Sequence, residues 1–363
     1  MIFFTKVDIP SSDWQIDYTS RIAFFGSCFA DNISAQFASR KFKVLANPFG
    51  TVYNPFSIAK QIKLIANGKV FGNDDVFQDM RFEKRSTNWF SWNAHGSLSG
   101  KSCEECVAKL NAATAQAREF LQQADVVFIT FGTAFVYFLK SLNENGTCEK
   151  AANENARGTI VANCHRQDSK FFERKMITVE EAASAIREIV EEICKIKNNW
   201  IASPSARNNV GAEKRDQHII FTVSPLRHLS DGAHGNNLSK ATLQLAIDKA
   251  INEIAEANST PTISVEYFPS YEIVMDELRD YRFYDNDMIH LSKVAEEYIF
   301  ERMVETYCTE KTRRDIKQVE KFLKSANHCI QDADAPATKA FLQKLHADAR
   351  KLESQIAGLE LNV

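Results

Sequence analysis

Residues 21–30 read Arg21-Ile22-Ala23-Phe24-Phe25-Gly26-Ser27-Cys28-Phe29-Ala30. The apolar run before Gly26 has the length of a short buried strand, and the glycine ends it. After the glycine, Ala30, Ile33 and Phe37 recur at steps of three and four, which predicts a helix with one apolar face. A buried strand followed directly by a helix is typical of a βα unit in a parallel sheet.

Four further apolar runs along the chain predict strands. They are Phe42 to Ala46, Val126 to Phe131, His218 to Val223 and Thr262 to Tyr267. Helical patterns occur near Glu105–Gln123, after the capping box Thr178-Val179-Glu180-Glu181, at about Ser239–Ala255 and at about Ser292–Tyr307. Five strands with intervening helices predict an α/β fold, a flavodoxin-like three-layer α/β/α sandwich around a parallel five-stranded sheet.

Three segments depart from this alternation. Residues 68–100 are rich in aromatic side chains, and we expect an insertion over one edge of the sheet. Residues 141–176 contain many asparagines and few periodic apolar positions, so we expect irregular structure. Residues 309–363 have apolar positions at steps of three and four and predict a C-terminal helical hairpin. This hairpin either docks on the domain formed by residues 1–308 or makes a homodimer through its apolar seam.

The composition excludes several functional classes. The chain has 363 residues, of which 44% are hydrophobic and 25% charged, and its net charge is −3. This balance gives no electrostatic footprint for nucleic acid or an anionic membrane. No run of about 18 apolar residues predicts a transmembrane helix, and the apolar start at residues 1–4 is too short for a signal peptide. We therefore expect a cytoplasmic protein with no nucleic-acid or membrane partner.

Eight cysteines are scattered along the chain, which favours reduced thiols over a disulfide framework. Cys103 and Cys106 have the spacing of half a zinc site, but no second pair has that spacing. We expect two ordinary cysteines at a helix start, and neither a metal ion nor a cofactor.

Two short motifs lie where an open parallel sheet places its ligands, at the carboxyl ends of strands. Cys28 follows the first strand at a helix start, where backbone N–H groups favour a thiolate or an oxyanion. Asp287 and His290 precede the last helix of the domain, and such a pair can direct the second imidazole nitrogen at a nucleophile. Each motif also has a structural interpretation, as a buried core cysteine and as an aspartate that caps a helix.

The GSCFA family takes its name from a motif that this chain carries as Gly26-Ser27-Cys28-Phe29-Ala30. Further blocks resemble the same family: Asn47-Pro48-Phe49-Gly50-Thr51-Val52-Tyr53-Asn54-Pro55, Phe131-Gly132-Thr133-Ala134, Asn163-Cys164-His165, Ser224-Pro225-Leu226-Arg227-His228-Leu229 and Tyr267-Phe268-Pro269-Ser270-Tyr271-Glu272. The resemblance covers roughly residues 20–307. It implies the fold and the hydrolase-like site of the SGNH (GDSL-like) hydrolases, and it supplies no substrate.

The resemblance assigns the catalytic roles residue by residue. A gapless match places Cys28 on the nucleophilic serine of the SGNH hydrolases, and Ser27 is the alternative nucleophile. It implies that His290 is the general base and that Asp287 orients His290. We expect the pKa of the Cys28 thiol to be lowered by the helix N-terminus and by His290.

The resemblance also implies where an oxyanion would bind. The Cys28 and Gly50 N–H groups are the implied donors, with Asn47 nearby and Thr133 in the third block. Ala134 stands where that block has an asparagine, and one lost oxyanion donor costs about 10²–10³ in rate. We consider Asn163 as a replacement for the missing asparagine.

Five residues are candidates for contacting a substrate: Trp92, Asn163, His165, Arg227 and His228. Each also has an ordinary structural use, in aromatic packing, hydrogen bonding or ion pairing. We expect an acyl or acetyl esterase that acts through a covalent acyl-enzyme on a carbohydrate or a small O-acyl ester. The alternatives are a polysaccharide or sugar O-acetyltransferase and a non-catalytic protein that binds a glycan or a partner.

Overall fold

The computed structural model of the chain describes residues 5–79, 88–140, 159–201, 217–257, 263–327 and 335–361. Within them the strands are β1 (Arg21–Gly26), β2 (Lys43–Ala46), β3 (Phe77–Gln78), β4 (Trp89–Phe90), β5 (Val126–Phe131), β6 (Phe135–Leu139), β7 (Ile160–Val161), β8 (Phe172–Met176), β9 (Gln217–Val223) and β10 (Ile263–Tyr267). The central sheet has the order β10-β9-β5-β1-β2, and its neighbouring strands are all parallel. The predicted flavodoxin-like sandwich is confirmed.

The main helices cover both faces of this sheet. They are α1 (Cys28–Ser39), α2 (Pro55–Ala66), α3 (Cys103–Gln122), α4 (Val179–Ile201), α5 (Gly232–Ala257), α6 (Lys293–Tyr307), α7 (Glu310–Ala326) and α8 (Pro336–Gln355). Helices α2 to α5 pack on one face, and α1 and α6 to α8 pack on the other. Successive side chains of β1 serve the two layers in turn: Ala23 and Phe25 face the first, Ile22 and Phe24 the second.

The predicted capping box at the start of α4 is confirmed. The Glu181 N–H donates to Thr178 Oγ1 over 3.2 Å, and the Thr178 N–H donates to Glu181 Oε2 over 3.0 Å. Helix α5 begins at Gly232, seven residues before the predicted start near Ser239. The sequence interpretation missed α2, although Asn54 caps it by accepting from the Ser57 N–H over 2.8 Å.

The prediction of irregular structure over residues 141–176 is wrong for its second half. Strands β7 and β8 pair with β6 in a small antiparallel sheet, while residues 141–158 lie outside the described residues. In the aromatic-rich segment 68–100, β3 pairs with β4, and residues 80–87 are again outside the described part. Phe90 and Trp92 from this segment pack with β7 and β8 in a third core cluster.

The C-terminal helices α7 and α8 pack against the helical layer formed by α1 and α6. Ile316, Val319 and Phe322 of α7 and Leu345 and Ala349 of α8 are buried in that core cluster. The apolar positions that predicted a hairpin are therefore used within the chain, although Ile330 lies outside the described residues. Among the helices of the described ranges, none combines the length and apolar character that crossing a lipid bilayer requires.

Candidate active site

The turn between β1 and α1 holds Ser27 and Cys28 at the carboxyl end of the central sheet. Gly26 has a φ of +133°, and a Cβ atom there would lie 2.1 Å from the carbonyl oxygen of Thr130 on β5. Only glycine tolerates this backbone conformation and this close approach. Ser27 is the N-cap residue and Cys28 the first residue of α1, so the thiol lies at the N-terminus of a 12-residue helix.

A hydrogen-bond network fixes the loop after β2 against this turn. The Gly26 N–H donates to Asn47 Oδ1 over 2.8 Å, and Asn47 Nδ2 donates to Asp31 Oδ1 over 2.7 Å. Thr51 Oγ1 donates to the other Asp31 oxygen over 2.9 Å, and the Gly50 N–H donates to the Asn47 carbonyl over 2.7 Å. The Asn47 amide and the Gly50 N–H are thus occupied in holding the loop, contrary to the oxyanion role that the resemblance implied.

A cavity of about 300 Å³ opens beside the turn. Its floor includes Ser27 and Cys28 after β1, Gly132 after β5 and Ser224 after β9; its walls include Tyr53, the segment 226–230 and the pair Ile289 and His290. These segments come together at the carboxyl ends of the strands, beside the topological switch between β1 and β5. Of the predicted site residues, the cavity brings together Ser27, Cys28, Arg227, His228 and His290.

The two neighbouring nucleophile candidates differ in access. Ser27 is 2% exposed, and its Oγ is inaccessible to solvent and has no hydrogen-bond partner within the described residues. The thiol-bearing residue Cys28 is partly exposed and also lines the cavity. A substrate in the cavity therefore meets the sulfur of Cys28 before the oxygen of Ser27.

Burial dominates the electrostatics of the Cys28 thiol. It raises the thiol pKa above the ordinary 9.0, and the nearby Asp31 carboxylate acts in the same direction. The N–H groups of Phe29 and Cys28 and the Lys240 ammonium lower the pKa, but they do not overcome burial. The net direction is opposite to the lowered pKa expected from the sequence, because the sequence does not reveal how deeply the thiol lies.

Asp287 and His290 form the predicted pair at the mouth of the cavity. His290 Nδ1 lies 2.5 Å from Asp287 Oδ2, and Asp287 Oδ1 accepts from the Ile289 and His290 N–H groups over 2.9 Å each. These hydrogen bonds hold the pKa of Asp287 down at about 2. Because a carboxylate only accepts, Nδ1 carries the proton and the lone pair is on Nε2. No hydrogen bond between described residues joins His290 to Cys28.

His228, which lines the same cavity, belongs to a second histidine–aspartate pair that the sequence interpretation did not find. His228 Nδ1 lies 3.0 Å from Asp231 Oδ1, and the Asp231 side chain is completely buried. Arg174 pairs with the same carboxylate, and Thr133 Oγ1 donates to it over 2.9 Å. Burial, followed by the charges of Arg174 and Lys240, lowers the pKa of His228.

Lys240 is a third residue that the sequence interpretation missed. It is 2% exposed, and its Nζ donates to the carbonyl oxygens of Gly132 over 2.6 Å and of Ser224 over 2.7 Å. Burial lowers the pKa of Lys240 to about 7. The available signal is its position on α5, since Lys240 stands three and seven residues before the buried apolar Leu243 and Ile247.

In the block Phe131-Gly132-Thr133-Ala134, which lacks the oxyanion asparagine, Gly132 is the residue that lines the cavity. Ala134 is completely buried in the core, and its N–H donates to Ser239 Oγ over 2.7 Å. The Thr133 and Gly132 N–H groups both donate to the Tyr53 carbonyl, over 3.0 and 2.7 Å. Thr133 is therefore not a free oxyanion donor, and a side chain at residue 134 would point into the core.

Three of the predicted substrate contacts lie in the aromatic cluster and not on the cavity. The His165 ring stacks on Phe90 with centroids 4.2 Å apart, and His165 Nε2 lies 2.9 Å from the Ser91 carbonyl oxygen. Asn163 accepts from the His165 N–H over 2.7 Å, and Trp92 is buried in the same cluster. These contacts are structural, so Asn163 does not replace the missing oxyanion asparagine.

The remaining cysteines give no sign of a metal centre. Within the described residues the cysteines are free thiols, and no group of three or more His, Cys, Asp or Glu side chains is arranged to hold a metal ion. Cys103 contacts Asn73 Oδ1 and Cys106 contacts the Leu98 carbonyl, each through its Sγ, over 3.4 and 3.5 Å.

Comparison with known proteins identifies the family. The family model described as GSCFA matches residues 21–303, which is most of the chain. No curated protein and no solved structure gives a significant match. The matched range begins at β1, includes every segment that lines the cavity and ends within α6. The chain therefore belongs to the GSCFA family.

Proposed function

We propose that this protein is an acyl-transfer enzyme of the SGNH type, with Cys28 as its nucleophile. One observation carries the proposal: an accessible thiol at a helix N-terminus shares a cavity with a histidine whose Nδ1 is held by a carboxylate. A nucleophile, a base and a group that orients the base are the parts of a catalytic triad. The buried Oγ of Ser27 favours Cys28 over its neighbour.

The proposed reaction has two steps. Cys28 Sγ attacks the acyl carbonyl, its proton passes to His290 Nε2, and Asp287 stabilises the imidazolium. The N–H groups of Cys28 and Phe29, which already face the thiol, hold the oxyanion. His290 then protonates the departing alcohol, which leaves a thioester on Cys28. Water or an acceptor hydroxyl, deprotonated by His290, releases the acyl group.

Contact between His290 and Cys28 has to form when substrate binds, because no hydrogen bond joins them in the described part of the chain. Contacts of this kind are commonly long in the absence of substrate and tighten in the reacting complex. His290 is about half exposed, with 51% of its side chain accessible, so its ring has room to turn. A substrate that fills the cavity would exclude the water between the two groups.

The cavity favours a small acyl group. Its volume of about 300 Å³ lies at the lower end of the range of about 300–1,000 Å³ for ligand pockets. An acetyl or similarly short acyl ester fits this space, with the alcohol part, a sugar or another small molecule, at the open side. Arg227 and Tyr53 offer polar contacts there.

Two other functions have observations in their favour. A thioester on Cys28 would serve an O-acetyltransferase as well as an esterase, and acetyl-CoA consumption with a sugar acceptor separates them. A non-catalytic binding protein is favoured by the raised thiol pKa and by the burial of residue 134 where an oxyanion donor is expected. Covalent acylation of Cys28 distinguishes it from both enzymes.

The test is hydrolysis of p-nitrophenyl acetate by purified variants, with intact-mass detection of the acyl-enzyme. We expect Cys28→Ala to lower turnover by at least about 10³-fold and to abolish the acetyl adduct. Cys103→Ala is the matched control, since Cys103 is also partly exposed but lies outside the cavity. Undiminished turnover in Cys28→Ala together with loss in Ser27→Ala would assign the nucleophile to Ser27. An absence of adduct and turnover in the parent protein, with all short-chain esters tried, would favour the binding protein.

A further inference from the structure

Lys240 brings a cationic side chain to the underside of the cavity floor. It projects from α5, which lies on the opposite sheet face from α1, and its Nζ reaches the carbonyls of Gly132 and Ser224. Both of these residues line the cavity together with Cys28. The amine thus binds the backbone of two residues that line the cavity, while Lys240 itself is not among the lining residues.

The Lys240 amine has no carboxylate partner among the described residues. Its hydrogen bonds go to two neutral carbonyls, which leaves its third proton without a described acceptor. Removing an ammonium from water without an anion is unfavourable in a protein interior, even with partial compensation by hydrogen bonds. Burial without a counter-ion calls for a role other than stabilising the fold.

Cys28 is the ionisable group that acts on Lys240. A thiolate at Cys28 favours the charged lysine, and the charged lysine favours the thiolate, so each lowers the cost of charging the other. Among the other groups around the thiol, the N–H groups of Phe29 and Cys28 also favour the thiolate, and more strongly than Lys240 does, but they are backbone dipoles without a net charge. Asp31 opposes the thiolate from α1, Tyr53 is a neutral phenol in the wall, and His228 and His290 border the cavity.

We propose that Lys240 is the counter-cation of the Cys28 thiolate and acts from beneath the cavity floor as a positioning residue. Lys240 keeps its proton while the thiol gives its own to His290, and no bond to Lys240 forms or breaks. The buried ammonium then offsets part of the desolvation that favours the protonated thiol. This inference rests on Cys28 being the nucleophile, but ionisation of the thiol can be measured without turnover.

The experiment measures the rate at which iodoacetamide alkylates Cys28 as a function of pH, by peptide mass spectrometry on the full chain. In Lys240→Gln we expect the inflection to rise by at least one pH unit and the rate at pH 7.5 to fall at least tenfold, since alkylation follows the thiolate fraction. Glutamine keeps two N–H donors for the two carbonyls. Alkylation of Cys103 in the same samples is the internal reference and should not change.

Lys60→Gln is the matched control variant. Lys60 is also partly buried, donates to a backbone carbonyl, that of Ile160 over 2.9 Å, and has a pKa lowered by burial. It does not line the Cys28 cavity, so the Cys28 profile should stay unchanged. A Lys240→Gln profile that coincides with that of the parent protein would overturn the proposal.

A second measurement covers the case in which Lys240 variants do not fold. Coupling between two sites is reciprocal, so removing the thiol should alter the titration of Lys240. With ¹³C-labelled lysine, we expect the Lys240 Cε resonance to titrate at lower pH in Cys28→Ala than in the parent, and an unchanged titration contradicts the proposal. Ester turnover that survives in Cys28→Ala contradicts the proposed function instead, so the two failures are distinguishable.

Discussion

At the scale of single residues, the site depends on whether the hydroxyl of Ser27 or the thiol of Cys28 faces the cavity. Ser27 uses its backbone as the N-cap of α1, while its Oγ makes no cap hydrogen bond and stays buried. Cys28, one position later, has turned toward the cavity and toward the first N–H groups of the helix. Ser27 has an extended backbone, with φ −71° and ψ 176°, whereas Cys28 begins the helix, so the two side chains leave the turn in different directions.

Gly26 fixes this geometry, so its replacement is a direct test. We expect Gly26→Ala to lower the free energy of unfolding by about 2 kcal/mol or more, because a Cβ would meet the Thr130 carbonyl in a left-handed backbone region. Urea unfolding measures the change. Gly72→Ala is the control, since nothing lies within 4 Å of a Cβ built there, and it should leave stability nearly unaltered. Equal stability of the two variants would mean that the turn relaxes freely.

The two histidine–aspartate pairs make different bases, and we expect His290 to be the one that ionises Cys28. Besides two backbone N–H groups, His290 is the one side chain that Asp287 binds among the described residues, whereas the Asp231 carboxylate is shared among His228, Arg174 and Thr133. A carboxylate that is shared among several donors stabilises an imidazolium less than a carboxylate that binds one imidazolium.

His290→Gln should therefore slow acyl-enzyme formation by about 10²-fold or more, and His228→Gln by less than about tenfold. Stopped-flow measurement of the p-nitrophenol burst gives both rates. His346→Gln, which changes an exposed residue of α8, is the control. The reverse order of effects would assign the base to His228.

At the scale of secondary-structure elements, local periodicity was sufficient for the sheet. Strand β5 has the predicted bounds, β1 and β9 differ from prediction by one residue at an end, and β10 agrees over Ile263–Tyr267, with Thr262 outside the described residues. Continuous apolar runs bounded by glycine or polar residues indicate buried parallel strands because both of their faces are covered. Helix α2, which packs against α3, α4 and β7, was missed although its buried Ile58, Ile62 and Ile65 recur at helical spacing.

The candidate site was predictable only where a residue adjoins a recognisable element. Cys28 follows β1 and His290 precedes α6, so strand ends and a short motif located both. Lys240 and Gly132 are 108 positions apart in the chain, and Arg174 and Asp231 are 57 apart. Contacts between residues so far apart in the sequence depend on how the layers pack, and a local sequence pattern does not predict that packing. The direction of the thiol pKa was wrong for the same reason, since burial is a property of the folded layers.

At the scale of the whole molecule, the site combines side chains from both helical layers. Cys28 and His290 belong to α1 and to the loop before α6, on one face of the sheet, while Lys240 belongs to α5 on the other. The β-strand order places the ends of β1, β5 and β9 side by side, so backbone carbonyls after β5 and β9 can hold the lysine near a thiol after β1. The Lys240 side chain reaches through the sheet layer, and its burial there keeps the amine away from water.

This arrangement has a consequence for global stability between pH 7 and 8.5. In the unfolded chain, Lys240 and Cys28 together hold close to two protons at pH 7 and about 1.8 at pH 8.5, because their ordinary pKa values are 10.5 and 9.0. In the folded protein the lysine pKa is about 7, and the thiol pKa is raised. The folded pair therefore holds about half a proton fewer at pH 7 and about 0.8 fewer near pH 8. Stability consequently rises with pH across this window, by at most about 1.4 kcal/mol per pH unit.

We therefore expect the urea midpoint to increase between pH 7 and 8.5 in the parent protein and to change much less in Lys240→Met, which cannot take up the proton. The comparison with Lys240→Met is needed because other perturbed groups titrate near this window. Burial also lowers the pKa of Lys60, which acts in the same direction as Lys240. Burial raises the pKa of Cys106, Cys164, Cys194 and Cys308, which opposes the increase as the pH approaches the ordinary thiol value of 9.0. A midpoint that changes with pH in Lys240→Met just as it does in the parent protein would show that Lys240 keeps its proton in the folded state across this window.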